Sequence, residues 1–238
     1  MLRTIIWYIL GWTFLFITFP ALWKVKYLER RGRLEERDLF ANRFSMFLAK
    51  GLFIFTGSTI SIKGIENIPD DQPVLFVSNH QSHMDSAIIH GFIKHPKGFI
   101  ADKEVKNIPI LRTWMKYMKC IFIDRGSIRD NIHSMEYGVR ILRNGHSMVI
   151  YPEGKLDEGK RLGNFKKGCI KLAVKAGVPI VPITMINSAR VMNRDGTKIR
   201  SAAVECIISQ PIYITSLDNS NESILIKEVR DIIAKNLG

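Results

Sequence analysis

Hydrophobic positions fall into two regimes along this chain. From Thr4 to Trp23, 20 residues run without one charge and carry Ile5, Ile6, Trp7, Tyr8, Leu10, Trp12, Phe14, Leu15, Phe16 and Phe19. A helix of that length reaches about 30 Å, the thickness of a bilayer's hydrocarbon core, so the run reads as a membrane helix. Trp7, Tyr8 and Trp23 near its ends suit the headgroup level, and Pro20 is a place for a kink. The alternative, a cleaved signal peptide, fits poorly with so long a run and with no A-x-A-like site after it. A second apolar stretch, Phe40 to Ile60, is broken by Arg43 and Lys50 and sets Phe40, Phe44, Phe47, Leu48 and Gly51 at helical spacing. That spacing predicts an interfacial helix rather than a second span. Residues 1–62 then form a membrane-anchoring helical hairpin, unless both helices simply cover a soluble core.

From Lys63 onward, short apolar runs alternate with helical patterns, which predicts an α/β body over residues 63–238. The strand candidates are Pro73–Ser78, Gly98–Ala101, Ile121–Asp124, Ser147–Tyr151, Ile180–Met185 and Val204–Ile208. The helix candidates are Ser86–Ile93, Ile108–Met118, Arg129–Arg143, Lys166–Ala176 and Glu222–Leu237, the last capped by Asn221 or Ser220. Asn193-Arg-Asp-Gly-Thr reads as a turn before a strand.

Charge narrows the setting. Thirty-five Lys and Arg face 22 Asp and Glu, a net of +13, which draws the protein toward polyanions. Ten basic and four acidic residues lie within positions 1–64, beside the most apolar segment. No basic block is interleaved with exposed aromatics, so nucleic acid is not expected as a partner and an anionic membrane surface is. Lys24, Lys26, Arg30, Arg31 and Arg33 follow the first helix while only Arg3 precedes it, which places the body on the cytoplasmic face. Three widely spaced cysteines without a CxxC pair argue against a disulfide scaffold or a cysteine zinc site.

The densest polar cluster is Asn79-His-Gln-Ser-His-Met-Asp85, directly after an apolar strand candidate. Five residues along a regular helix turn a side chain by about 140°, so His80 and Asp85 meet only across a strand-to-helix turn. There Asp85 would accept a hydrogen bond from one imidazole nitrogen and leave the other as a base, two thirds of a Ser-His-Asp relay. The hydroxyl it activates need not belong to the protein and can belong to a substrate. Three readings compete at this point: a metal site using His80, His83 and Asp85, an ordinary hydrogen-bonded histidine, and a simple helix cap. Later segments add weight to chemistry. Phe122-Ile-Asp-Arg125 ends a strand in a guanidinium that suits phosphate, Tyr151-Pro-Glu-Gly154 ends another in a carboxylate, and Gly163-Asn-Phe-Lys-Lys-Gly168 opens a helix with two lysines. Such strand ends line one crevice of an α/β sheet.

In this order the segments resemble the glycerolipid acyltransferases, the 1-acyl-sn-glycerol-3-phosphate acyltransferases in particular. Asn79-His80-x-x-x-x-Asp85 matches that family's first block, Phe122–Arg125 the second, Pro152-Glu-Gly154 the third and Val178–Ile183 the fourth. Lys103 and the FKKG stretch at Phe165–Gly168 are also familiar from it. Two departures stand out: Lys119 occupies a position that is usually glycine, and Glu153-Gly154-Lys155-Leu156 replaces EGTR, leaving Lys155 or Arg161 to supply the missing cation.

The resemblance implies a mixed sheet flanked by helices, with the hairpin in front of it. It implies transfer of a fatty acyl group from acyl-CoA or acyl carrier protein to the free hydroxyl of a lysophospholipid, without metal or bound cofactor. His80 is the expected base and Asp85 its orienting partner. Asn79, Lys103, Arg125, Glu153, Gly154 and Lys166 are the expected substrate-binding residues. Glycerol 3-phosphate or another lysolipid is an alternative acceptor. A non-catalytic membrane-binding protein and a metal-dependent hydrolase are the competing classes.

Overall fold

A computed structural model describes the chain apart from residues 125, 127, 155, 157–161, 194 and 215–220. Its centre is a seven-stranded sheet in the order β1-β7-β6-β2-β5-β3-β4. The strands are β1 (Thr59–Lys63), β2 (Leu75–Ser78), β3 (Lys97–Asp102), β4 (Ile121–Ile123), β5 (Ser147–Ile150), β6 (Ile180–Ile186) and β7 (Ala203–Ile208). From β6 to β4 all pairs are parallel; β7 runs antiparallel to β6, and β1 follows β7. The sheet is therefore mixed, and the carboxyl ends of five parallel strands share one edge.

Alternation along β2 explains its central place. Phe76 points into one apolar layer, while Leu75 and Val77 point into the other, and all three are fully buried. Burial of each such side chain contributes roughly 1.5–3 kcal/mol. One layer packs under α2 (Leu34–Ile54) and α3 (Met84–Phe92). The other packs under α5 (Ile128–Arg143), α6 (Lys171–Ala176) and α7 (Glu222–Leu237), whose Leu225, Val229 and Ile233 form one stripe. Asn221 caps α7 by accepting from Ser223 N at 3.0 Å. Pro182 sits inside β6 without an N–H to give. It falls at the break between the Ile180↔Ile212 bridge and the β7 ladder that starts at Ile183, where the missing donor costs least.

All six predicted strands are present. The seventh, β1, was hidden: its Thr-Ile-Ser-Ile-Lys sequence abuts the second apolar stretch, which stops being helical at Ile54 and not at Ile60. A turn through Gly57 (φ +73°), with the Thr56 hydroxyl donating to Phe53 O at 2.6 Å, separates helix from strand. Helix α6 starts at Lys171, after a 3₁₀ turn at Lys167–Cys169, five residues later than predicted. The helix opening expected at Lys166 is thus not there.

The long first run is α1 (Leu2–Arg30), which passes through Pro20 and pairs with α2 as a hairpin. Phe14 lies against Gly51, where a Cβ would come within 2.7 Å of its ring. Similarly, Gly91 of α3 lets the Lys50 backbone of α2 approach; a Cβ there would meet Lys50 N at 2.7 Å. The hairpin is seated on the body through α4 (Pro109–Tyr117), whose Trp114 packs with Val25 and Ala41 and stacks on Phe44.

Candidate active site

β2 stops at Ser78 and α3 begins at Met84, so residues 79–83 form a tight connection at the carboxyl end of a central strand. Asp85 in the first turn of α3 is 0% exposed. Its Oδ2 accepts three N–H groups: His80 Nδ1 at 3.0 Å, Gln81 N at 2.7 Å and Ser82 N at 2.8 Å. The carboxylate that orients the imidazole thus also closes the loop carrying it. Because an ionised carboxylate only accepts, Nδ1 is the protonated nitrogen and Nε2 is left basic. Three N–H donors converging on Oδ2 also make it a poor seat for a cation. His83 stands edge-on to His80, ring centroids 6.5 Å apart.

Three further tethers fix the loop. Asn79, 2% exposed, donates to Met185 O at 2.9 Å and accepts from Met185 N at 2.7 Å, extending the β2–β6 ladder with a side chain. Ser82 Oγ donates to Met192 O at 3.0 Å. Glu153 bridges two main-chain donors, His80 N to Oε1 at 3.0 Å and Gly163 N to Oε2 at 2.9 Å. A Cβ on Gly163 would lie 2.7 Å from Glu153 Oε2, so a side chain there would displace this carboxylate. Of the residues expected to bind substrate, Glu153 accepts from the His80 main chain and Asn79 ties the start of the loop to β6. Gly154 follows in the left-handed region at φ +68°, which turns the chain away from β5.

One participant escaped the sequence. Tyr151 stacks flat on the His80 ring, centroids 3.8 Å apart and planes 13° from parallel, with its hydroxyl 2.9 Å from Ser86 Oγ. Burial, followed by the nearby Asp85 charge, pushes the Tyr151 phenol well above its usual range, so it stays neutral. The only signal available was an aromatic residue between a strand and the Pro-Glu-Gly turn.

The ends of β3 and β4 form a second cluster. Lys103 Nζ donates to Asp124 Oδ2 at 2.7 Å, and Gly126 N donates to Oδ1 at 2.9 Å. The Lys103 bond, then the Gly126 N–H, hold the Asp124 carboxyl below its usual range. Arg125, the expected phosphate ligand beside it, lies outside the described residues, as do Lys155 and Arg161. Lys166 is exposed, and its main-chain N–H donates to Pro152 O at 3.0 Å, which lays the FKKG stretch along the Pro-Glu-Gly turn.

Residues 59–186 match the family model described as Acyltransferase, more than half the chain. The chain belongs to the acyltransferase family. All four acyltransferase blocks read from the sequence, and the FKKG stretch with them, lie within the matched residues. The chain is 32% identical over 205 residues to the chloroplastic 1-acyl-sn-glycerol-3-phosphate acyltransferase of Arabidopsis thaliana, covering 84% of this chain and 56% of that protein. It is 30% identical over 181 residues to the 1-acyl-sn-glycerol-3-phosphate acyltransferase of Borreliella burgdorferi, covering 76% of this chain and 72% of that one. The chain thus spans little more than half the length of the plant relative. The crystal structure of the 1-acyl-sn-glycerophosphate acyltransferase PlsC from Thermotoga maritima superimposes with a TM-score of 0.84 at 24% identity, covering 99% of this chain and 93% of that chain. This likeness shows the same acyltransferase fold over nearly the whole chain, α1 and α2 included.

The fold also gives the Lys119 departure a physical meaning. Lys119 ends α4 at φ +58°, a left-handed conformation that glycine enters freely and lysine does not. Its carbonyl presses on β3, where a Cβ on Gly98 would lie 2.5 Å away.

Proposed function

We propose that this acyltransferase moves a fatty acyl group from a thioester donor, acyl-CoA or acyl carrier protein, to the free hydroxyl of 1-acyl-sn-glycerol 3-phosphate. The product is phosphatidic acid, and the place of the reaction is phospholipid biosynthesis. The observation that carries the reading is His80 Nδ1 bonded at 3.0 Å to a fully buried Asp85, at the shared carboxyl edge of the parallel strands. His80 Nε2 takes the hydroxyl proton as the alkoxide oxygen attacks the thioester carbonyl. The tetrahedral intermediate expels the thiolate, and the imidazolium returns the proton to sulfur. Asp85 holds the tautomer and balances the imidazolium. Asn79, Glu153 and Gly154 shape the loop, while Lys103 and Lys166, with Arg125, supply cations for the acceptor phosphate.

The hairpin is read as the membrane seat. Within its most apolar 18-residue stretch α1 is only 12% buried, and it is the one helix among the described residues long and apolar enough to cross a bilayer. It exposes Ile5, Ile9, Trp12, Phe16 and Phe19. Both ends of α1 touch the body: Tyr8 OH donates to Gly196 O at 2.7 Å, and Tyr117 OH donates to Glu29 at 3.1 Å. A helix held to one body at both ends lies along a leaflet, with its exposed face in the acyl chains. The basic flank from Lys24 to Arg33 seats it on the anionic cytoplasmic leaflet.

Free thiol release from palmitoyl-CoA by purified protein in mixed micelles, with and without 1-acyl-sn-glycerol 3-phosphate, tests the chemistry. Acceptor-dependent release should fall about 10²–10⁴-fold in His80→Ala, the usual contribution of a general base. Equal release by both proteins would sink the mechanism. Flotation with liposomes tests the seat: Ile5→Ser/Trp12→Ser/Phe16→Ser should abolish it, and undiminished flotation would overturn that reading.

A further inference from the structure

Beyond β6 the chain makes an excursion that the chemistry above does not use. Asn187 turns it at φ +65°, a 3₁₀ turn covers Ser188–Arg190, and it doubles back through Gly196 at φ +69° to a bridge between Met192 and Ile199. The excursion and the start of β7 wall a cavity of about 670 Å³, lined by Arg190, Lys198 and Arg200 together with Asn187, Asn193 and Ser201. Among the described residues no Asp or Glu lines it, and none of these three cations is in an ion pair. Two guanidinium forks and an ammonium around one concavity, with amide and hydroxyl groups between them, suit the oxygens of a phosphate.

Its neighbours identify the kind of phosphate. The first turns of α1 are bonded to this same excursion: Ile199 N donates to Thr4 Oγ1 at 3.1 Å, and Tyr8 OH donates to Gly196 O at 2.7 Å. On the other flank Ser201 Oγ donates to Gly57 O, and Arg3 reaches Thr56 O at 3.4 Å. Those same turns of α1 expose Leu2, Ile5, Ile6 and Ile9. A cationic cavity beside a strip of exposed aliphatic side chains reproduces the order of a phospholipid, phosphate next to acyl chain. We propose that Arg190, Lys198 and Arg200 form a site for the headgroup phosphate of an anionic membrane lipid. This rests on the reading of α1 as the membrane seat. Ser82 Oγ on Met192 O at 3.0 Å and Ser188 Oγ on Gln81 Oε1 at 3.3 Å tie the excursion to the His80 loop, so the lipid would dock against the segment that carries the base.

The test is flotation of the full chain with vesicles of phosphatidylcholine alone or mixed with phosphatidylglycerol. It compares wild type, Arg190→Gln/Lys198→Gln/Arg200→Gln, and a charge-matched control, Lys175→Gln/Lys227→Gln/Lys235→Gln, on the opposite layer. Each cation at an anionic surface strengthens partitioning roughly fivefold, so the cavity variant should lose about 100-fold on the anionic vesicles and nothing on neutral ones. The control should lose little, and Lys198→Gln alone about fivefold. Equal losses in the cavity and control variants would overturn the site while leaving the membrane seat standing. Displacement of wild type from anionic vesicles by excess coenzyme A would assign the cavity to a soluble donor's phosphates and overturn it likewise. Wild type that floats with neither vesicle would remove the membrane seat and this site together.

Discussion

Replacing Asp85 with asparagine isolates what its charge does, because the surrounding donors dictate how the amide must sit. Oδ2 is met by His80 Nδ1 at 3.0 Å, Gln81 N at 2.7 Å and Ser82 N at 2.8 Å, while Oδ1 has no hydrogen-bond partner among the described residues. An amide NH₂ in the Oδ2 place would face two main-chain N–H groups that cannot reverse. The amide oxygen is therefore driven there, and Nδ1–H of His80 still finds an acceptor. What is lost is charge. Bonds to an ionised acceptor contribute about 1.5–3 kcal/mol against about 1 kcal/mol for neutral ones, so the two backbone bonds together cost roughly 1–4 kcal/mol of stability. A carboxylate about 4 Å from an imidazolium is worth roughly 4 kcal/mol at an effective dielectric constant near 20. Allowing for the neutral bond that remains, the transition state loses roughly 2–4 kcal/mol, or about 30- to 1,000-fold in kcat. Acceptor-dependent thiol release measures the rate and urea denaturation the stability. Turnover below that of His80→Ala in a folded protein would show that the amide had flipped and would refute the argument. Unchanged turnover would show that the Asp85 charge takes no part.

Other perturbations follow from the same structure. Lys119→Gly relieves a left-handed lysine at the cost of a surface pair with Asp38 at 3.4 Å; a net gain of about 0.5–1 kcal/mol should raise the melting temperature, and a fall would mean the ion pair outweighs the backbone. Tyr151→Phe keeps the platform under His80 and should hold kcat within a few-fold, losing about 1 kcal/mol of stability with the Ser86 bond, whereas Tyr151→Leu should lower kcat by at least tenfold. Equal rates in the two variants would deny the ring its positioning role. Burial, with smaller effects from Lys97 and His146, takes His90 down to about 3, and burial above all takes His146 down to about 4. Both are neutral in the fold, so the unfolded chain protonates first as pH falls below about 6.5, and stability drops from there toward the folded values. By pH 5 His90 alone should cost on the order of 2 kcal/mol, read as a lower urea midpoint than at pH 7.5; His90→Gln should flatten the difference, and an equal slope in both would count against it.

Local pattern carried far in this chain. Each of the six strands other than β1 is a short apolar run, and such a run reports its own extended conformation and burial. The uncharged stretch from Thr4 announces α1 by length alone, and the five-residue spacing of His80 and Asp85 already demanded the strand-to-helix turn found between Ser78 and Met84. β1 was lost because Thr-Ile-Ser-Ile-Lys alternates at a sheet edge and runs straight on from apolar helix; only pairing with β7 shows it to be a strand. The duties of Glu153, Asn79 and Tyr151 were out of reach for a different reason. Their partners lie 73, 106 and 65 residues away in sequence. The strand order that places β5 and β6 on either side of β2 brings those partners within bonding distance. Periodicity encodes which way a side chain faces its own element, while strand order decides which distant backbone it meets. The sequence by itself determined six of the seven strands, the long first helix and the turn that lets His80 meet Asp85. Only the tertiary structure decided which distant groups Asn79, Glu153 and Tyr151 meet around His80.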